Sequence, residues 1–255
     1  MSKVVLITGA SSGLGLTTAL HLHEKGYTVY GTSRNPKIYD KQYPFNFLSL
    51  ENADSISIQN CVKTVLDQSG RLDILINNAG VGIIGPMEEI ELSAVRQHFE
   101  VNCFGPLQLM QAVLPHMRLQ GEGLIINITS IAADIGLPFR GTYSAAKGAL
   151  ERMSEALRME TKAHGIRICN VAPGDFISNI AERRHYASLG KDSPYYTTYQ
   201  FSLNQINDHV DNGIDPREIT EIIESLINTT KLKVRYKVGT PLQKLSGILK
   251  SLLPS

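Results

Sequence analysis

Along the first 175 residues, short apolar runs alternate with stretches of helical length. The runs are Val4–Thr8, Thr28–Thr32, Phe45–Leu48, Ile74–Ile76, Leu124–Ile128 and Ile166–Val171. Between them, residues 13–25, 54–68, 93–118 and 143–163 read as helices. Strands alternating with helices build right-handed βαβ units around a parallel sheet, which makes the fold class α/β. The strands are unbroken apolar runs rather than alternating ones, as expected when helices cover both sheet faces. No repeat, low-complexity stretch or linker interrupts the pattern, so a single domain over 1–255 is expected.

Two regions leave this rhythm. Residues 175–215 are irregular, polar and tyrosine-rich, and a connection that long usually serves as a substrate loop or lid. After the run Val234–Val238 comes a C-terminal tail, 240–255, in which Leu242, Leu245, Ile248, Leu249 and Leu252 share one helical face. That stripe has three readings: a cover for the core edge, a part of a dimer or lid, or a contact with a membrane surface to which Lys244 and Lys250 add little attraction.

Composition narrows the class. With 25 Lys and Arg against 24 Asp and Glu, the net charge is +1, which argues against a nucleic-acid partner. Apolar residues at 42% match a globular chain able to bury a large core. Cys61, Cys103 and Cys169 are too few and too scattered for a disulfide framework or a thiolate metal site, and read as buried hydrophobes in a reducing compartment. The seven histidines lack ligand spacing with a third donor, so no catalytic metal is expected. Nothing approaches the ~20 apolar residues of a membrane span. The expected location is cytoplasmic.

The chemistry starts at the end of the first strand. Thr8-Gly9-Ala10-Ser11-Ser12-Gly13-Leu14-Gly15 runs directly into a helix. Glycines there permit a tight turn and let backbone N–H groups approach a pyrophosphate, and the helix N-terminus adds partial positive charge. A strand, this loop and a helix at the start of a βαβ unit point to a dinucleotide. A fold preferring NAD carries an acid about 20 residues on, to bond the ribose 2′-hydroxyl. Here the stretch is Thr32-Ser33-Arg34-Asn35. Arg34 offers a charged fork suited to a 2′-phosphate, and Ser33 stands beside it, so NADP(H) is favoured. NAD(H), with Arg34 a solvated bystander, is the alternative.

Six segments in order resemble the short-chain dehydrogenase/reductases: Thr8–Gly15, Asn77-Asn78-Ala79-Gly80, Val101-Asn102, Ile128-Thr129-Ser130, Tyr143-Ser144-Ala145-Ala146-Lys147 and Pro173-Gly174. The resemblance implies a Rossmann-type, doubly wound parallel sheet of about seven strands with helices on both faces. It implies hydride transfer between a nicotinamide and a ketone or secondary alcohol. Tyr143 and Lys147 are four apart and share a helix face. A phenol is a weak acid at neutral pH, and a nearby ammonium and the positive nicotinamide ring stabilise its phenolate. By the resemblance, Tyr143 is the general acid/base, Lys147 also holds the nicotinamide ribose, Ser130 polarises the substrate carbonyl, and Asn102 holds a water that relays protons to Lys147. Cofactor contacts are implied for Gly9, Ser11, Ser12, Gly13, Leu14, Gly15, Ser33, Arg34, Asn78, Ala79, Gly80, Asn102, Tyr143, Lys147, Pro173, Gly174, Ile177 and Ser178. Where the family often ends its third strand with an adenine-contacting Asp, this chain reads Leu48-Ser49-Leu50-Glu51, and Ser49 is expected in its place. Ser178 stands where a Thr is common. The family pairs the helices at 93–118 and 143–163 between subunits, so a homodimer or homotetramer is expected. A regulator that senses NADP without turnover is a further reading, but such proteins typically lose the Tyr or the Lys.

The partner expected is a small carbonyl or alcohol substrate. Phe176, Tyr186, Tyr195, Tyr196, Tyr199 and Phe201 fall within the 175–215 loop. They either pack on a bulky lipophilic substrate or pack on one another. The long loop and the Tyr236-Lys237-Val238-Gly239 end loosely resemble the hydroxysteroid and retinol dehydrogenase branch.

Overall fold

The computed structural model describes residues 2–39, 41–176, 184–211 and 213–252. The chain runs β1 (Val4–Ile7), α1 (Gly13–Glu24), β2 (Thr28–Ser33), β3 (Asn46–Ser49), α2 (Ser55–Ser69), β4 (Ile74–Asn77) and β5 (Ile83–Ile84). Next come α3 (Leu92–Phe99), a π-helical turn (Glu100–Phe104), α4 (Gly105–Gln120), β6 (Gly123–Ile128), a 3₁₀ turn (Ile131–Asp134), α5 (Gly141–Glu160) and β7 (Ile166–Pro173). The last elements are β8 (His185–Tyr186), α6 (Tyr196–Asp211), α7 (Pro216–Asn228), β9 (Arg235–Val238) and α8 (Pro241–Leu252).

Seven strands form one sheet in the order β3-β2-β1-β4-β6-β7-β9, and every neighbouring pair is parallel. Alternate residues of each strand feed opposite cores. Val5, Ile7, Ile74, Ile76, Leu124 and Ile126 pack with Leu22 of α1 and Ile219, Ile223 and Leu226 of α7. Val4, Leu6, Leu75, Ile125 and Ile168 pack with Val62 of α2, Leu109 and Val113 of α4, and Leu150 of α5. Each such side chain, fully buried, stabilises the fold by roughly 1.5–3 kcal/mol. Cys61 and Cys169 lie inside these cores, where burial pushes their thiols up to about 12.

The chain winds outward from β1 to β3, then returns to place β4 on the other side of β1. The strand order reverses there, so a crevice opens beyond the carboxyl ends of β1 and β4, where ligands bind in such sheets. Thr8-Gly9 and Asn78-Ala79-Gly80 follow those two ends.

Two expectations change, and one helix is added. The helix read over 93–118 is two helices joined by the π-helical turn, which is where Asn102 sits. The 175–215 region is not irregular throughout, because α6 fills much of it. The helix α7 was not read from the pattern at all. Among the described residues no helix is long and apolar enough to cross a membrane.

Candidate active site

The turn from β1 into α1 adopts backbone that only glycine takes easily. Gly9 and Gly13 have φ of 67° and 53°. A Cβ on Gly9 would stand 2.9 Å from the Ala79 Cα, and one on Gly15 would meet the Gly9 carbonyl oxygen and Asn78 Nδ2 at 2.4 Å. The turn is fastened to the end of β4. Thr8 Oγ1 accepts from the N–H groups of Asn78 (3.0 Å) and Ala79 (2.9 Å), and Asn78 Nδ2 donates to the Thr8 carbonyl at 2.9 Å. Gly9 N–H donates to Thr32 Oγ1 at 3.2 Å, which ties in β2. The first turn of α1 carries no acidic residue and no side-chain cap, so its N–H groups and positive end face an open cleft.

That cleft has a volume of about 400 Å³. Its walls hold Gly9, Ser11, Ser12, Gly13, Leu14, Gly15, Ser33, Arg34, Asn78, Ala79 and Gly80, all among the expected cofactor contacts. They also hold Leu50, Glu51 and Asn52. Ser49 does not line the cleft; it ends β3 on the exposed side, so the residues just after the strand replace it there. Asn52 is 6% exposed and its Nδ2 has no hydrogen-bond partner.

A second cavity, about 310 Å³, adjoins the first, and Phe176 lines both. Ser130 and Tyr143 line it together with Ile83, Ile84, Ile135, Leu137 and Leu242. Tyr143 lies in the first turn of α5, and Lys147 one turn further on. Ser130 caps the 3₁₀ turn, its Oγ accepting the Ala132 N–H at 3.1 Å. Lys147 is 5% exposed and donates to the Ile128 carbonyl at 3.0 Å. Burial pushes its ammonium down to about 8, against the pull of the Glu151 carboxylate one turn below.

These motifs have counterparts in other proteins. Residues 3–187 match the short chain dehydrogenase family. The chain is 39% identical over 253 residues to a 3-ketodihydrosphingosine reductase of Bacteroides thetaiotaomicron, covering 99% of this chain and 93% of that protein. This chain belongs to the short-chain dehydrogenase/reductase family. It is thus an oxidoreductase that uses a nicotinamide cofactor on CH–OH or C=O groups. The dehydrogenase is also 28% identical over 252 residues to human 17-beta-hydroxysteroid dehydrogenase type 1, covering 91% of this chain and 76% of that one. Its fold superposes on a short-chain dehydrogenase from Streptomyces avermitilis with a TM-score of 0.88 at 33% identity, covering 98% of this chain and 93% of that one.

Several of the expected site residues of the dehydrogenase lie behind the cavity walls. Asn102 and Lys147 line neither cavity. Both are buried against Gly80, where a Cβ would stand 2.8 Å from Asn102 Oδ1 and 3.5 Å from Lys147 Nζ. The Asn102 carboxamide bonds the Val81 main chain both ways, accepting its N–H at 3.2 Å and donating to its carbonyl at 3.1 Å. It also donates to the His98 carbonyl at 3.1 Å, so both amide hydrogens are engaged. Pro173 is buried at the end of β7, and only Gly174 of that pair reaches the second cavity. Ile177 and Ser178 lie outside the described residues.

Sequence reasoning missed three contributors. His98 is 2% exposed; it lies against Asn102 and 5.9 Å, centroid to centroid, from the Tyr143 ring. Burial, and then the Lys147 charge, push its imidazole down to about 3. The four-residue spacing of His98 and Asn102 was the available signal. Glu151, also buried, accepts from Thr129 Oγ1 at 2.6 Å, and burial raises its carboxyl. Arg235 of β9 stands 3.0 Å from Glu151 at an angle short of a hydrogen bond, pairs with Asp134, and donates to the Ser130 carbonyl at 3.0 Å.

Proposed function

We propose that the chain is an NADP(H)-dependent reductase of ketones with a long or bulky apolar part, reversible toward the secondary alcohol. The observation that carries the reading is the shared wall. Tyr143 and Ser130 stand on a mainly apolar cavity that meets the glycine-loop cleft at Phe176. The names of the two relatives, a ketosphingoid reductase and a hydroxysteroid dehydrogenase, agree with a lipophilic substrate.

The glycine-loop cleft suits a dinucleotide. Added Cβ atoms at Gly9 or Gly15 would collide with Ala79 or Asn78, so the backbone stays bare toward the cleft. The α1 N-terminus favours a pyrophosphate. Asn52 Nδ2, buried and without a partner, supplies a donor for the base. Arg34 and Ser33 would hold a 2′-phosphate, and Thr32–Asn35 contains no carboxylate. When bound, the cofactor exchanges a hydride with the substrate carbonyl carbon.

The chain's own residues manage the proton. Ser130 Oγ has accepted the Ala132 N–H, so its hydroxyl hydrogen is left to donate to the substrate carbonyl oxygen. The Tyr143 hydroxyl gives that oxygen its proton in reduction and removes it in oxidation. Lys147 sets positive charge one turn away, where negative charge develops as the proton leaves. His98 and Asn102 hold the floor of the site through Val81. Pairing of α4 and α5 between subunits is part of the same reading, and Met159 of α5 and Leu119 of α4 leave apolar surface exposed there.

A second reading, NAD(H) as cofactor, is favoured by Glu51, a carboxylate on the same cleft wall. Reduced-nicotinamide absorbance with a panel of ketones tests both. Tyr143→Phe should lower kcat by about 10²- to 10⁴-fold, the usual contribution of a positioned proton donor. Arg34→Ala should raise the KM for NADPH alone by about 10- to 100-fold, the loss of a charged hydrogen bond of about 1.5–3 kcal/mol. An equal rise for NADH would favour the second reading. Preference for small polar ketones or sugars would sink the lipophilic part.

A further inference from the structure

The cavity that holds Tyr143 is not apolar all round. Two arginines stand in its wall. Arg140 precedes α5 and lies over the Tyr143 ring, 5.5 Å from its centroid. Arg184 approaches from the segment before β8, and its NH1 donates to Asn207 Oδ1 at 3.0 Å, a neutral partner. Its stem lies across Gly82, where a Cβ would stand 2.3 Å from Arg184 Cγ. Glycine at 82 is thus what lets this arginine lie along the cavity.

The half-buried arginines described elsewhere in this chain are either paired or capped: Arg158 and Arg167 donate to main-chain carbonyls, and two others meet carboxylates. Arg71 pairs with Asp73 and Glu122, and Arg235 with Asp134 and Glu151. Among the described residues, neither Arg140 nor Arg184 has a carboxylate partner. Among the described residues, Asp175 is the one acidic residue in the wall, and it accepts from Gln243 Nε2 at 3.1 Å. The described side chains of the wall therefore carry two positive charges against one negative. The first turn of α5, which follows Arg140, has no acidic residue to offset its positive end.

A wholly apolar ketone entering this cavity would strip water from two half-buried arginines and give nothing back. An anionic group would complement their charge and take up the donors of their planar forks. We propose that the substrate is an amphiphile: an apolar chain with the ketone, and near it a carboxylate, sulfonate or phosphate held by Arg140 and Arg184. This rests on the reductase reading for its chemistry but not for its test.

The test is calorimetric binding of decanoate, decanamide and decylammonium to the full-length protein. These probes share one chain length and differ only in head-group charge. Decanoate should bind at least about tenfold more tightly than decanamide, and decylammonium more weakly than either. Arg140→Gln and Arg184→Gln should each shrink the decanoate preference about tenfold, and added salt should shrink it further. Should a glutamine variant not fold, Arg140→Lys or Arg184→Lys should keep part of the preference. Equal binding of decanoate and decanamide, or tighter binding of decylammonium, would overturn the proposal. Turnover of a medium-chain keto acid against its methyl ester separates the two readings. Reduction of both at equal kcat/KM defeats the anion inference. Reduction of neither, with the decanoate preference intact, defeats the reductase reading and leaves the anion site standing.

Discussion

His98 is neutral in the fold and ordinary outside it. Folded, its pKa is held to about 3; in an open chain an imidazole titrates near 6.5. Between those values the unfolded chain takes up a proton that the folded chain refuses. Its contribution to stability is therefore complete above pH 6.5 and drains away as the pH falls toward 3, by up to roughly 5 kcal/mol. From pH 7 to pH 5 this one residue should remove about 2 kcal/mol. Urea midpoints at the two pH values check it, with His98→Gln, which cannot titrate, as comparison. The variant should lose about 2 kcal/mol less than wild type across that step. Matching slopes would move the acid sensitivity to other groups. The sequence shows only its four-residue spacing from Asn102, because burial and the Lys147 charge, not its neighbours in the chain, decide its state.

On α5, Tyr143, Lys147 and Glu151 succeed one another at four-residue steps along one face. The first pair was legible from spacing. The third was not, because a glutamate on a helix normally reads as solvated surface. Here it is 2% exposed, and its charge holds Lys147 protonated against the penalty of burial. Glu151→Gln should lower the Lys147 pKa further. If the ammonium is the working form, activity falls as the pH rises through that pKa. The alkaline limb of kcat/KM should then shift to lower pH by about one unit, a differential interaction of about 1.4 kcal/mol. An unmoved limb would mean that Lys147 does not set it. The same helix shows what periodicity cannot see. Asn77, Asn127 and Asn170 stand in register across β4, β6 and β7, all buried. Asn77 Nδ2 donates to Asn127 Oδ1 and Asn127 Nδ2 to Ser154 of α5, each at 2.8 Å. A polar row inside apolar strands is visible in the sequence, but its partners come from elsewhere in the chain.

Across the whole molecule, the central strands were legible because burial on both faces writes them as apolar runs. The two-residue strands β5 and β8 are too short to leave such a trace. Helix α7 did leave one. Asp215 accepts the Arg217 N–H, Pro216 follows at the first turn, and Ile219, Ile223 and Leu226 line one side. The aromatics of the 175–215 region do not act as one group: Phe176 lines both cavities, Tyr199 is buried edge-on against Phe139 outside the region, and Phe201 is 65% exposed. Helix α8 closes the arrangement from the C-terminal end. Gly247 lies so near the 3₁₀ turn that a Cβ would stand 2.9 Å from Asp134 Oδ2, while Leu242 and Gln243 line the second cavity. Gly247→Val should push α8 outward and raise KM for bulky ketones about five- to tenfold, with a change in stability of about 1 kcal/mol, in the range for one misfitted methyl group or two. Kinetics with ketones of graded size, beside a melting curve, check this. A large fall in melting temperature with KM unchanged would make α8 a cover for the core only.

The turn at Glu100–Phe104 carries a genetic consequence. A π turn is an α-helix holding one residue too many. Removing a single codon there would swing Asn102 about the axis and away from Val81. It would not leave one regular helix, because Pro106, in the first turn of α4, brings no N–H to the ladder and crowds the carbonyl four residues before it. One in-frame deletion at this turn therefore costs the site and the helix together.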